Sequence, residues 1–283
     1  MIQKSIAIVS FLLMVSCQNF GELKVLASLP YSLNEVSGIE KIKGSNLLWM
    51  LNDAGNKPII YGVDINGKII REVVVKAKNN DWEDLTSDEE GNLYIADFGN
   101  NNNKRKNLRI LKIQHQDLLE KDEVTVTKIK FSYPTQTKFP PKKENRFFDA
   151  ESLLYKNGFL YIFTKSAVKN SFGKTTLYKI PAIKGNYIAK QLSFFETCSH
   201  QTCKITSAAL SPNGKKMVLL NHQSVFVFSN FDGDNFFSGD VKKHFLGHSS
   251  QKESITFKNN HALYITDEKS KSVGGMLYEF KFE

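Results

Sequence analysis

Trp82-Glu83-Asp84-Leu85, then Glu90-Gly91-Asn92, then Leu93-Tyr94-Ile95-Ala96-Asp97 is the stretch on which the fold turns. It reads as a short strand, a Gly/Asn turn and an apolar strand that ends on a polar residue, which is a hairpin signal. The same unit returns four more times. Its first strands are Val36-Ser37-Gly38-Ile39, Ala150-Glu151-Ser152-Leu153, Thr206-Ser207-Ala208-Ala209 and Lys252-Glu253-Ser254-Ile255. Its second strands are Leu48 to Asp53, Leu160 to Lys165, Met217 to His222 and Leu263 to Glu268. A third strand follows in every unit: Ile59 to Ile65, Leu108 to Ile113, Thr176 to Ile180, Val225 to Ser229 and Met276 to Phe282. A fourth follows in four units: Lys68 to Val75, Val124 to Tyr133, Tyr187 to Phe195 and Val241 to Leu246. The fifth unit lacks one, and the spare segment Leu23 to Leu29 lies ahead of the first unit, where it can pair beside the last strand and close a ring. Four-stranded units repeated around a ring are the blades of a propeller, which leaves only short, protected edges. The spacing predicts an all-β, five-bladed β-propeller with roughly 50 residues per blade. A sixth blade would need a longer insertion than any present.

Composition agrees with a globular chain. Of 283 residues, 41% are hydrophobic and 24% charged, which excludes a disordered or collagen-like chain. Lys and Arg number 38 against 29 Asp and Glu, a formal charge of +9, but the excess is spread along the chain. Scattered lysines indicate solubility and argue against nucleic acid as a partner.

The first segment is an address. Lys4 precedes the apolar run Ile6 to Ser16, and Cys17 follows at once. A basic start, an apolar stretch of roughly ten residues and small residues before the cut describe a secretory signal. Met14-Val15-Ser16-Cys17 resembles the lipobox of bacterial lipoproteins, although Met14 stands where Leu is usual. That resemblance implies a signal peptide over 1–16, acylation of Cys17, a lipidated tether over 17–21 and the propeller over 22–283. Gln18 in place of an inner-membrane retention Asp points to the outer membrane, facing the periplasm or the exterior. The alternative is a plain signal cut nearby. Cys198 and Cys203 remain. In an oxidising envelope they suit a small-loop disulfide; zinc through His200 lacks ligands, and free thiols are the third possibility.

Each first strand carries Ser or Glu at one repeated place: Ser37, Glu83, Glu151, Ser207 and Glu253. First strands line a propeller's channel, so these five side chains should converge on the axis. Three carboxylates meeting there repel unless neutralised. A hard cation with oxygen ligands answers that, and Ca²⁺ suits it better than the strictly octahedral Mg²⁺. Otherwise the five would cap channel waters at separate depths.

The order Ser-Glu-Glu-Ser-Glu at this spacing resembles the five-bladed calcium-activated nucleotidases, the soluble apyrases. That resemblance covers about residues 30–283 and implies an axial calcium ion. The family carries an Arg pair where this chain has Thr164-Lys165, and an Asp-rich N-terminal segment that has no counterpart here. A second likeness is more local. Asp81 to Leu85 with Asn92 to Asn101 and Arg105 resembles a signature of poorly characterised secreted bacterial propellers.

The ends of the second strands should form a ligand mouth from Asn52, Asp53, Asp97, Asn100, Asn101, Arg105, Lys165, Asn221, His222, Asp267, Glu268 and Lys269. The short hairpins at the opposite end look too small to build a pocket. A phosphohydrolase would use calcium, Arg105, Lys165 and Lys269 for charge, and Asp53 or Asp97 to orient water. The other class is a binding or scaffold lipoprotein, monomeric, whose partner is a small molecule, a glycan or an envelope protein.

Overall fold

The computed structural model describes residues 19–271 and 273–282. Cys17 and the leader lie outside the described residues. The chain opens with β1 (Lys24–Ser28). The first blade takes β2 (Val36–Glu40), β3 (Leu48–Asn52), β4 (Ile59–Val63) and β5 (Ile69–Val75). The second takes β6 (Trp82–Ser87), β7 (Leu93–Asp97) and β8 (Arg109–Ile113). After helix α1 (His115–Glu120) come β9 (Glu123–Val124) and β10 (Thr127–Ser132). The third is built on β11 (Asp149–Lys156), β12 (Phe159–Lys165) and β13 (Lys174–Pro181), followed by β14 (Gly185–Ile188) and β15 (Lys190–Glu196). The fourth holds β16 (Ser207–Leu210), β17 (Lys216–Leu220), β18 (Ser224–Ser229) and β19 (Asp240–Phe245). The fifth holds β20 (Lys252–Asn259), β21 (Ala262–Asp267) and β22 (Met276–Lys281).

These strands form five separate sheets, and β1 is the outer strand of the last, paired antiparallel to β22. The innermost strands β2, β6, β11, β16 and β20 touch in cyclic order around one axis. The protein is therefore a five-bladed β-propeller closed by its N-terminal strand.

Both faces of the second strand in each blade are buried, and the apolar runs follow from that. In β7, Leu93 and Ile95 enter a core shared with the first blade, while Tyr94 and Ala96 enter one shared with the third. In β12, Leu160 and Ile162 face the second blade, and Tyr161 and Phe163 the fourth. Successive side chains point to opposite faces of a strand. A strand buried on both sides must be apolar at every position, which is why period-2 alternation is absent from its sequence. Five cores result, one between each pair of neighbouring blades.

Two fourth strands differ from the sequence reading. Val124 to Tyr133 is not one strand: β9 joins the first blade beside β5, while β10 stays in the second. Tyr187 to Phe195 divides likewise, with β14 added to β10 of the second blade and β15 kept in the third. Both additions are parallel, so each segment covers the open edge of the preceding blade before the chain returns to its own. An uncovered edge carries unpaired backbone groups, and a neighbour's two to four residues satisfy them.

Leu23, just ahead of the closing strand β1, is 5% exposed in the core between the fourth and fifth blades. Leu23→Ala should cost about 3 kcal/mol, read as a lower urea midpoint with an unchanged slope.

Candidate functional site

Four inner strands carry a register shift at the same place: at Ser37, within Glu83-Asp84, at Glu151 and at Glu253. A β-bulge leaves a residue unpaired and re-aims its side chain. Here it turns Ser37, Glu83, Glu151 and Glu253 into an axial cavity of about 170 Å³. Asp53, Asn101, Lys165, Gln251 and Glu268 complete the lining.

Ser207 is not part of this ring. It pairs with Leu220, which places it level with Gly38 and Asp84, one residue deeper. The fourth blade's counterpart of Ser37 is Thr206. Ser37 Oγ donates to the Trp82 carbonyl at 3.0 Å, and Thr206 Oγ1 donates to the Lys252 carbonyl at 2.8 Å. Each acceptor is the residue before the next blade's axial Glu.

The deeper layer closes the channel beneath the cavity. Asp84 is fully buried and accepts from Leu153 N at 3.0 Å, Leu85 N at 2.9 Å and Ser207 Oγ at 3.2 Å. Ser207 Oγ in turn accepts from Ile255 N at 3.2 Å. Burial drives the Asp84 carboxyl well above the usual carboxylate range, against the pull of these donors.

The cavity is lined by five carboxylates, Asp53, Glu83, Glu151, Glu253 and Glu268, and one ammonium, Lys165. Lys165 Nζ lies 2.9 Å from Glu151 Oε2, and His222 Nε2 lies 3.0 Å from Glu253 Oε1. Glu83 Oε1 and Glu151 Oε1 are buried with no hydrogen-bond partner. Burial, then the charges of Glu151 and Asp53, push Glu83 far up. Burial also raises Glu268 to about 8, and Asp53 and Asp81 to about 6. Burial alone would pull the Lys165 ammonium down, but Glu151, Glu253, Asp149 and Glu83 outweigh it and hold its pKa well above the ordinary value. Oxygens of Asp53, Asp81 and Glu83 all lie within 4.8 Å of one another.

Several expected mouth residues serve the frame instead. Asn52, Asp97, Asn221 and Asp267 occupy one repeated position at the ends of the second strands, and all are buried. Asn52 Nδ2 donates to the Ser32 carbonyl at 2.7 Å. Asn221 Oδ1 accepts from Gln223 N and Ser224 N. Asp267 accepts from Met276 N and the Tyr278 hydroxyl. Asp97 is clamped by Arg105 at 3.0 Å and Arg109 at 2.6 Å, so it is not free to orient water, and Arg105 is no mouth cation. Arg105 also donates to the Gly99 and Asp97 carbonyls, which ties the loop after β7 to its own blade. Asn100 is buried, donating from Nδ2 to the Phe148 carbonyl and accepting from Arg105 N. Lys269 is exposed and outside the cavity lining. The cavity residues come from the next position along: Asp53, Lys165 and Glu268 line it, and His222 bonds its Glu253, while the second blade has the buried Phe98 there.

Sequence reading missed Asp81, Thr206, Asp84 and Gly99. A Cβ on Gly99 would overlap Glu83 Oε1 and crowd the Asp81 carboxyl, so this glycine makes room for the axial carboxylate. The opposite end was misjudged as well. It holds a cavity of about 330 Å³ lined by Glu40, Thr86, Tyr155, Thr256 and their neighbours. Cys198 and Cys203 form a disulfide with Cα atoms 5.7 Å apart.

No family model matches the chain, and no curated protein matches it in sequence. Solved structures match in fold. A PQQ-bound aldose sugar dehydrogenase from Streptomyces coelicolor aligns at 10% identity and TM-score 0.53, covering 92% of this chain and 98% of its own. A streptogramin B lyase aligns at 10% identity and TM-score 0.46, covering 92% and 87%. The virginiamycin B lyase of Staphylococcus aureus aligns at 12% identity and TM-score 0.43, covering 90% and 69%. At this identity the likeness speaks for the propeller fold alone.

Arg105→Ala should destabilise by about 2–3 kcal/mol, because the buried Asp97 carboxylate loses a charged donor. A lowered melting temperature with unchanged ligand binding is the expected result; a mouth cation would give the reverse.

Proposed function

We propose that this chain is a lipid-anchored binding or scaffold propeller of the cell envelope, with one calcium ion at its axial mouth. The observation that carries the reading is the pair of buried, unpartnered oxygens, Glu83 Oε1 and Glu151 Oε1, in a cavity with five carboxylates and one ammonium. Buried polar atoms without a partner are costly. A hard cation would satisfy both oxygens and draw further ligands from Asp53, Glu253 and Ser37. All of these donors are oxygens, which suits calcium and leaves soft metals without ligands. Any ligand would then be held above the ion, among Asn101, Gln251 and Glu268.

The apyrase-like alternative has less support. Transfer of a phosphoryl group needs free cationic groups around the developing charge. Arg105 is committed to Asp97, and Lys165 to Glu151. Phosphate release from a nucleotide panel, with calcium and with chelator, tests that alternative directly.

Calcium should raise the melting temperature by mass action, since it binds only the assembled ring. Glu83→Gln and Glu151→Gln should remove most of that rise. Lys165→Met should strengthen calcium binding about tenfold, because the ammonium competes for Glu151. Titration calorimetry decides; an unchanged affinity in Lys165→Met, or equal melting with calcium and chelator, would refute the axial ion.

The cation-free protein should also lose stability as pH rises. Asp53, Asp81 and Glu268 have raised folded values, so between about pH 4 and 8 the folded state holds more protons than the unfolded one. Their stabilisation is complete at the acid end and is lost through that window. Chelated protein should therefore melt lower at pH 8 than at pH 5, and calcium should narrow the gap.

A further inference from the structure

The first described residues are fixed against the rim between the fourth and fifth blades. Glu22 N donates to the Leu246 carbonyl at 2.9 Å. Phe20 packs on His248 and Tyr278, with ring centroids 5.2 and 5.9 Å apart. Gly21 (φ +59) and Gly247 (φ +67) cross so closely that a Cβ on Gly21 would overlap the Leu246 carbonyl and the backbone of Gly247. Cys17 precedes Asn19 by two residues. An extended chain covers at most about 3.6 Å per residue, so an acyl group on Cys17 would keep this rim within roughly 10 Å of the bilayer surface.

The rim is cationic. A groove of about 440 Å³ there is lined by Lys242, Lys243 and Lys281, with Glu22 the only acid among the described residues that line it. The Lys281 side chain is 79% exposed; its ion-pair partner among the described residues, Glu279 at 3.9 Å, is already held by Lys258 at 2.8 Å. Asp240, at the start of the same edge strand β19, is occupied by Asn230 at 2.7 Å. Val241 and Phe245 stand 48% and 63% exposed on that strand and bracket the two lysines; strand alternation puts them on the face of Lys243, with Lys242 on the other.

We propose that the rim formed by Lys242, Lys243, Lys281 and Phe245 docks on an anionic phospholipid bilayer. The lysines meet headgroup phosphates, each adding attraction near a charged surface, and Phe245 and Val241 reach the acyl boundary. The orientation rests on the lipid anchor proposed above; the surface itself does not. Docking would hold the axial mouth at a set angle to the membrane instead of leaving the propeller free to swing.

The test uses the mature chain with Cys17→Ser, so that no acyl group contributes. Its co-sedimentation is measured with phosphatidylcholine vesicles and with vesicles containing roughly one third phosphatidylglycerol. We expect binding to the anionic vesicles to be at least about tenfold stronger and to be lost in high salt. Lys242→Glu/Lys243→Glu/Lys281→Glu should abolish it, while Lys128→Glu/Lys130→Glu on the second blade should not. Equal binding to both vesicles, or a triple variant that binds like the parent, would overturn the proposal and leave the lysines as guards of a free sheet edge. Mass spectrometry of the membrane-extracted N-terminus reads the anchor separately. An unmodified Cys17 with charge-dependent vesicle binding would refute the anchor and uphold the surface.

Discussion

A single buried carboxylate holds the centre of this molecule together. Asp84 sits in the second blade, accepts a backbone N–H from the third at Leu153, and accepts the Ser207 hydroxyl of the fourth. Ser207 passes the linkage to the fifth blade at Ile255 N, and Ser37 brings in the first through the Trp82 carbonyl. Bonds across a low-dielectric centre are strong when complete and expensive when any member is missing. The inner strands cannot splay without breaking this net, and the bulged carboxylates above it keep their aim only while the strands stay put. The cavity is thus a consequence of the plug beneath it. The site can concentrate negative charge because the frame under it is already paid for by ordinary hydrogen bonds.

How far the fold could be read from the chain follows from what the blades bury. Strands buried on two faces leave unbroken apolar runs such as Leu93 to Ala96, and the turns between them announce themselves through Gly91, Gly158 and Gly214, all at positive φ. Those signals are local and repeat five times. The outer edges carried no such signal. Val124 is apolar whether it completes the first blade or begins the second, and only tertiary pairing decides between them.

The site was legible in kind and less so in detail. Glu83, Glu151 and Glu253 stand in register, and the structure brings them together at one cavity. Thr206 and Ser207 are adjacent hydroxyl residues, and without a visible bulge in that blade the sequence cannot say which faces the axis. Asp97 and Asn100 looked like mouth residues because they are polar and lie at or past a strand end. Polarity there instead serves the frame: Asn100 meets the Phe148 carbonyl and Arg105 N, and Asp97 takes the side chains of Asn80, Arg105 and Arg109. The partners that reveal this, Arg105 and Arg109 around Asp97, differ from blade to blade and leave no repeat to find.

The parallel edge segments give the chain an overlap resembling roof tiles. β9 leaves its own sequence neighbourhood to finish the first blade, and β14 does the same for the second. A blade cut out at its sequence boundaries would lose its outer strand or carry off that of its neighbour. Blades of this protein are therefore poor units for recombination, whereas new ends in the loop between β18 and β19 would sever no such overlap. The chain is modular in its repeats and continuous in its seams.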